Sequence, residues 1–139
     1  LFRSLAIATT TTPANVTSLL EATLGKESIG WFEVIAAGDI VPKKKPAADI
    51  YDYVLQHMNL TADECIAFED SSNGIQSSLG ANLKTIITQN HYTETHDFSG
   101  AVVVLDHLGE QDDACTCIAG DIGNATYVSM DVVKQLFHS

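Results

Sequence analysis

The chain has 139 residues, 45% of them hydrophobic and 18% charged, and eighteen acidic against seven basic residues leave it at −11. That length supports one domain with a single core, and the apolar content is too high for a disordered chain. The charge excludes the basic stripes of non-specific nucleic-acid binding, and no apolar run approaches the ~18 residues of a membrane span.

Residues 4–9, SLAIAT, read as a short buried strand. Thr12 is a good N-cap and Pro13 a good first helical residue. Val16, Leu19, Leu20, Thr23 and Leu24 then repeat at spacings of 3 and 4, and Gly25 ends the helix. A second strand is expected over 32–38 and a second helix over 46–58, opening at Pro46 with Ile50, Val54 and Met58 on one stripe and Tyr51 and Leu55 flanking it. ECIAF, 64–68, is a third strand. Residues 71–82 form a third helix with Ile75 and Leu79 on one face and Asn82 as its left-handed end. Strands follow at 83–88 and 101–106, separated by the polar loop 89–100. The tail from Asp112 has no clear pattern before a last helix at about 130–137.

Strands that are continuous apolar runs, alternating with helices, predict an α/β fold: a three-layer, Rossmann-like parallel sheet covered on both faces. In such sheets the ligand crevice lies beyond the carboxyl ends of the strands. Three polar stretches fall there: TTTT at 9–12, KKKP at 43–46 and EDSSNG at 69–74. Each alone has a bland reading: turn chemistry, a solvated patch, an exposed acidic pair. Together they make chemical sense. Thr hydroxyls and backbone N–H groups at a helix start attract an anion, and a lysine adds full charge. Glu69 and Asp70 suit Mg²⁺, which takes one or two carboxylates plus phosphate oxygens. A phosphate held between lysine and magnesium also accounts for three lysines before a helix N-terminus, where each cation is disfavoured by about 0.3–1 kcal/mol. If the extended backbone persists, the Glu69 and Asp70 side chains diverge, which favours Asp70 as the direct cation ligand, with Glu69 acting directly or through water.

The remaining polar side chains carry less. The spacing of His91 and His96 in HYTETH suits no zinc pair on a helix, and His57, His91, His96, His107 and His138 read as solvent-exposed. Three cysteines make no disulfide framework and fit a reducing compartment. Cys115 and Cys117 lack a second pair for zinc, Cys65 reads as core, and Trp31 and Phe32 as packed beneath a helix.

LAIATT, KKKPAADIY and CIAFEDSSNGI, in that order, resemble the second, third and fourth motifs of the haloacid dehalogenase superfamily over residues 4–108. ATTTTPANV, AAGDIVPKKKP and YTETHDFSGA are similar to a plant and bacterial subgroup acting on sugar phosphates, including xylulose 1,5-bisphosphate, with beta-phosphoglucomutase a close relative. The resemblance implies that Thr9 holds the transferring phosphoryl group, helped by the Thr10 backbone N–H. It implies that Lys45 balances the charge on phosphate and nucleophile, that Glu69 and Asp70 complete a Mg²⁺ site, and that a phosphorylated sugar is the substrate. An aspartate would attack phosphorus to give an aspartyl-phosphate, and a second aspartate two residues on would be general acid and base.

Both aspartates belong to a first motif, D-x-D-G-T, which these 139 residues do not contain. The expectation is therefore a C-terminal portion of such an enzyme, 1–139 forming part of the core without its first strand and helical cap, inactive alone. A separate N-terminal segment, a second copy or a rearranged sheet would then satisfy two central strand edges left open. The expected location is the cytoplasm, or a plastid in a photosynthetic eukaryote. A mutase and a degenerate phosphate- or protein-binding module are the alternatives. A signalling receiver domain is disfavoured because its acidic pair comes early and its lysine late.

Overall fold

The computed structural model describes residues 4–139. Its strands are β1 (Leu5–Ala8), β2 (Phe32–Ala36), β3 (Ile66–Glu69), β4 (Lys84–Thr88), β5 (Val103–Leu105) and β6 (Cys117–Gly120). The α-helices are α1 (Pro13–Leu24), α2 (Asp49–Met58), α3 (Ser72–Gly80) and α4 (Met130–His138), and short 3-10 turns occupy Lys26–Trp31 and Ala62–Glu64. The fold is α/β, as the alternating pattern predicts.

The strands fall into two sheets. β1 pairs parallel with β2, and β3-β4-β5-β6 form a second sheet in that order. β3, β4 and β5 are mutually parallel, whereas β6 runs antiparallel to β5. β1 and β3 do not pair with each other, so each presents one open edge toward a central gap.

Side-chain alternation along the strands assigns the layers. Ala6, Ala8, Val34 and Ala36 pack with Ile50, Tyr51 and Val54 of α2, in a cluster that also takes in Ala67 of β3. α2 therefore bridges the two sheets on one face. Ile7 and Ile35 point the other way, onto Val16 and Leu20 of α1. In the second sheet Ile87 and Val104 meet Ile75 beneath α3, while Ile86, Val103 and Leu105 meet Val132 and Leu136 of α4. The gap is thus roofed by α2 on one side. On the other face Phe68 of β3 and Leu5 of β1 remain exposed.

The structure corrects several expectations. α2 starts at Asp49, and Pro46 sits in the turn before it. The lysines are therefore not at a helix N-terminus, whose first turn carries Asp49 and Asp52 as the dipole favours. The strand expected at 64 begins at Ile66, because Thr61 and Glu64 close a reciprocal capping box over the preceding turn. Leu19, Leu24 and Trp31 are exposed, since α1 covers only a narrow two-stranded sheet. Phe32 does pack under α1. β6 was not expected: CIAG is fully exposed along its length and lacks a buried-strand pattern. Asn82 takes the left-handed conformation expected after α3, with φ 61°.

Candidate active site

β1 and β3 end at the same rim, and the loops that follow them line one cavity of about 350 Å³. Its walls include Thr9, Thr10, Lys45, Glu69, Asp70 and Asn73. Thr9, Thr10, Lys45, Glu69 and Asp70, spread over about sixty positions of chain, thus converge, and they are the five candidates the sequence singles out.

Thr9 is placed by strand pairing and a local turn, and Lys45 by contacts from a distant helix. The Thr9 N–H donates to the Ala36 carbonyl at 2.9 Å, extending the β1–β2 ladder by one residue. Beyond it the chain turns. The Thr9 hydroxyl accepts from the Thr11 N–H at 3.2 Å, and the Thr12 hydroxyl caps α1 by accepting from the Asn15 N–H at 3.3 Å. Lys45 is carried by a loop pinned to α3, where the buried Ser77 hydroxyl donates to the Ala47 carbonyl at 2.6 Å. Gly80 gives that loop room, because a Cβ there would meet Ala48 Cβ at 3.2 Å. The Lys45–Pro46 bond is cis.

Lys45 crosses the gap between the sheets. Its ammonium donates to the Ala8 carbonyl on β1 at 2.9 Å and to Glu69 Oε1 on β3. The pair is largely buried, with 12% and 8% of the side chains exposed. Tyr51 of α2 donates its hydroxyl to the same Glu69 oxygen and sets its ring 5.0 Å from the ammonium. Burial, and then the neighbouring Glu69 charge, hold the Tyr51 phenol protonated far above its ordinary range. Tyr51 is a site residue that the sequence reading placed only as a flank of an apolar stripe. Its signal was present in the P-x-x-D-I-Y spacing, one helical turn beyond the lysine loop.

Glu69 and Asp70 both border the cavity but differ in their surroundings. Glu69 turns toward Lys45 and Tyr51, and its Oε2 lies where a Cβ on Gly74 would stand 2.0 Å away. Asp70 is exposed and borders both this cavity and a second of about 470 Å³ lined by Gln89, Asn90, Asp106, His107 and Asp113. Among the described residues no three His, Cys, Asp or Glu side chains gather as a metal centre. Two carboxylates with hydroxyls nearby fit an ion completed by phosphate oxygens and water, the usual habit of Mg²⁺. They do not suit a metal held by protein alone.

Lys44 pairs with Asp39 at 2.8 Å, and that hydrogen bond lowers the Asp39 pKa. His96 and His107 differ from the expectation of simple exposure. The Ser72 N–H donates to His96 Nδ1 at 3.2 Å. His107 lies between Asp106 at 2.8 Å and Asp113 at 3.3 Å. Hydrogen bonds from Thr116, its N–H foremost, and from His107 bring the Asp106 pKa down to about 2, and the Asp106 carboxylate raises that of His107. His57 stacks on Tyr53 at the surface, and Cys65 packs partly buried against the α2 cluster.

Residues 2–88 match the family described as haloacid dehalogenase-like hydrolase. The chain is 44% identical over 106 residues to protein CbbY of Cupriavidus necator, covering 76% of this chain and 42% of that one. It is 52% identical over 97 residues to CbbY of Rhodobacter capsulatus, covering 70% and 43%. The structure of CbbY from Rhodobacter sphaeroides in complex with xylulose-(1,5)bisphosphate superimposes with TM-score 0.72 at 42% identity, covering 74% of this chain and 46% of that one. A putative beta-phosphoglucomutase from Thermotoga maritima gives 0.60 at 28% identity, with 73% and 47% covered. The chain spans less than half the length of these relatives. It belongs to the haloacid dehalogenase-like hydrolases.

Proposed function

We propose that this chain supplies the phosphate- and cation-holding part of a Mg²⁺-dependent phosphatase for phosphorylated sugars, with xylulose 1,5-bisphosphate as the specific candidate. One observation carries the reading: Thr9, Thr10, Lys45, Glu69 and Asp70 converge on one cavity at the carboxyl ends of two parallel strands. The Thr9 hydroxyl and Thr10 N–H hold phosphoryl oxygens, and Lys45 offsets their charge. Asp70, with Glu69, holds Mg²⁺, which when bound neutralises charge on the transferring group. The substrate class is supported by the named ligand of the Rhodobacter sphaeroides relative.

The nucleophile in this reading is an aspartate on a strand that enters the gap between β1 and β3. Its carboxylate oxygen bonds to phosphorus as the sugar oxygen leaves, and water then cleaves the acyl-phosphate. The open edges of β1 and β3, with Phe68 and Leu5 exposed beside them, support such an insertion. Likeness to the Thermotoga maritima protein supports a second reading, transfer of the phosphoryl group back to a sugar.

The test is phosphate release from a panel of sugar phosphates with Mg²⁺. It compares the chain alone with the chain co-expressed with the segment of the Rhodobacter sphaeroides relative that the match leaves uncovered. Release only in the second case is expected, and sugar isomerisation without release would select the mutase. No turnover of either kind by the co-folded pair would overturn the reading.

A further inference from the structure

His96 lies in the polar loop 89–100, outside the residues matched to the family and far along the chain from every site residue. The structure brings it to the start of α3, directly after Asp70. A helix opens with N–H groups that have no partner within it. In α3, Ser71 supplies two acceptors: its hydroxyl takes the Gly74 N–H at 3.1 Å and its carbonyl the Ile75 N–H at 3.0 Å. The Ser72 N–H instead goes to His96 Nδ1, twenty-four positions away, at 3.2 Å.

The loop is built to hold that ring still. The buried Thr93 hydroxyl accepts from the Asn90 N–H at 3.0 Å, and the Asn90 carbonyl accepts from the Thr93 N–H at 2.9 Å. The His96 N–H donates to the Thr93 carbonyl at 2.9 Å. The next apolar residue, Phe98, is 9% exposed and packs on Ile75 of α3 itself, with its ring centroid 6.1 Å from that of His96. Gly100 then passes so close to α3 that a Cβ would lie 2.7 Å from Leu79 Cδ1. The loop is thus stapled along α3 at Phe98 and Gly100, and His96 is the polar end of the staple.

We infer that His96 is a positioning residue: its ring nitrogen anchors the Ser72 N–H and so fixes the turn that presents Asp70 to the cavity. The inference deepens the proposed function, on which it rests for Asp70 being a cation ligand. Ring geometry explains why histidine serves. The neutral imidazole offers a lone pair at Nδ1 while keeping its proton on Nε2. Asparagine, whose side-chain oxygen stands at the same distance from the backbone as Nδ1, is the conservative replacement.

The experiment uses the ¹⁵N-labelled chain as wild type, His96→Ala and His96→Asn. Amide exchange at Ser72 is expected to quicken about five-fold in His96→Ala, the equivalent of one hydrogen bond, and to stay within about two-fold of wild type in His96→Asn. The Asp70 amide resonance should move in His96→Ala and return in His96→Asn. Mn²⁺, used as the cation probe, should broaden Asp70 with several-fold weaker apparent affinity in His96→Ala and be restored in His96→Asn. Unchanged Ser72 exchange in His96→Ala overturns the inference, as does loss of protection in a folded His96→Asn. A quickened Ser72 with an unmoved Asp70 overturns the positioning role. Absence of Mn²⁺ broadening in the wild type instead overturns the cation reading of Asp70, while Ser72 exchange and the Asp70 resonance still decide the role of His96.

Discussion

Lys45 and Glu69 form a nearly buried ion pair whose remaining hydrogen bonds come from the Ala8 carbonyl and the Tyr51 hydroxyl. Removing one partner of such a pair leaves the other charged without compensation. Lys45→Ala is therefore expected to destabilise the chain by about 3 kcal/mol in urea unfolding. Lys45→Met with Glu69→Gln should recover most of that loss, because the stranded charge is gone; a double variant as unstable as the single would contradict the pairing. Tyr51→Phe keeps the ring and removes one bond to a carboxylate, for about 1.5 kcal/mol. At His107 the expectation concerns pH. Its raised pKa means its contribution is full below the ordinary histidine value of 6.5 and is lost as pH rises through the raised one. Asp106, lowered from 3.8 to about 2, contributes above 3.8 and loses that contribution as pH falls toward 2. The segment from Asp106 to Thr116 is thus held best between those limits. Asp106→Asn should lower the His107 titration midpoint followed by ring NMR, and an unmoved midpoint would contradict the contact.

Among the elements, α1 and α3 were legible because their signals are local. Thr12-Pro13 announces the start of α1, and α3 was read from Ile75 and Leu79 on one face and Asn82 at its end, with the Ser71 cap added by the structure. Thr12→Ala should cost about 1 kcal/mol by the same denaturation measurement. The start of α2 was misplaced because Pro46 suits a first helical turn as well as the turn that the structure shows, and what decides is Ser77 holding Ala47 from another helix. β6 escaped notice because an exposed edge strand needs no apolar run. It rests on its pairing with β5 and on Gly120, whose φ of 88° brings it within 2.7 Å of the Val102 carbonyl for any added Cβ. Gly74 is the counterpart at the site. Gly74→Ala would drive a methyl into Glu69, and should release the Glu69 contacts to Lys45 and Tyr51 while leaving α3 helical by circular dichroism.

Over the whole molecule, the rim location of the site followed from the alternation of strands and helices, since parallel strands place their following loops on one edge. The stretches 9–12, 43–46 and 69–74 were recoverable on that ground alone, and the family resemblance narrowed them to Thr9, Lys45 and the pair Glu69 and Asp70. Tyr51 stood in the sequence one helical turn beyond the lysine loop, but its bond to Glu69 did not; His96 was not recoverable, because it reaches the site through a contact that only the packed structure defines. The division into two sheets, with α2 spanning both, leaves Lys45 as the polar link across the gap from the β1 carbonyl to the β3 carboxylate. No helix among the described residues is long and apolar enough to cross a membrane. The most direct measurement is a titration of the ¹⁵N-labelled chain with inorganic phosphate in the presence of Mg²⁺. Saturable shifts confined to Thr9, Thr10, Lys45, Glu69 and Asp70, and abolished by Lys45→Ala, are the expected result. Shifts centred on Asp106 and His107, or none at any of the five, would contradict the account.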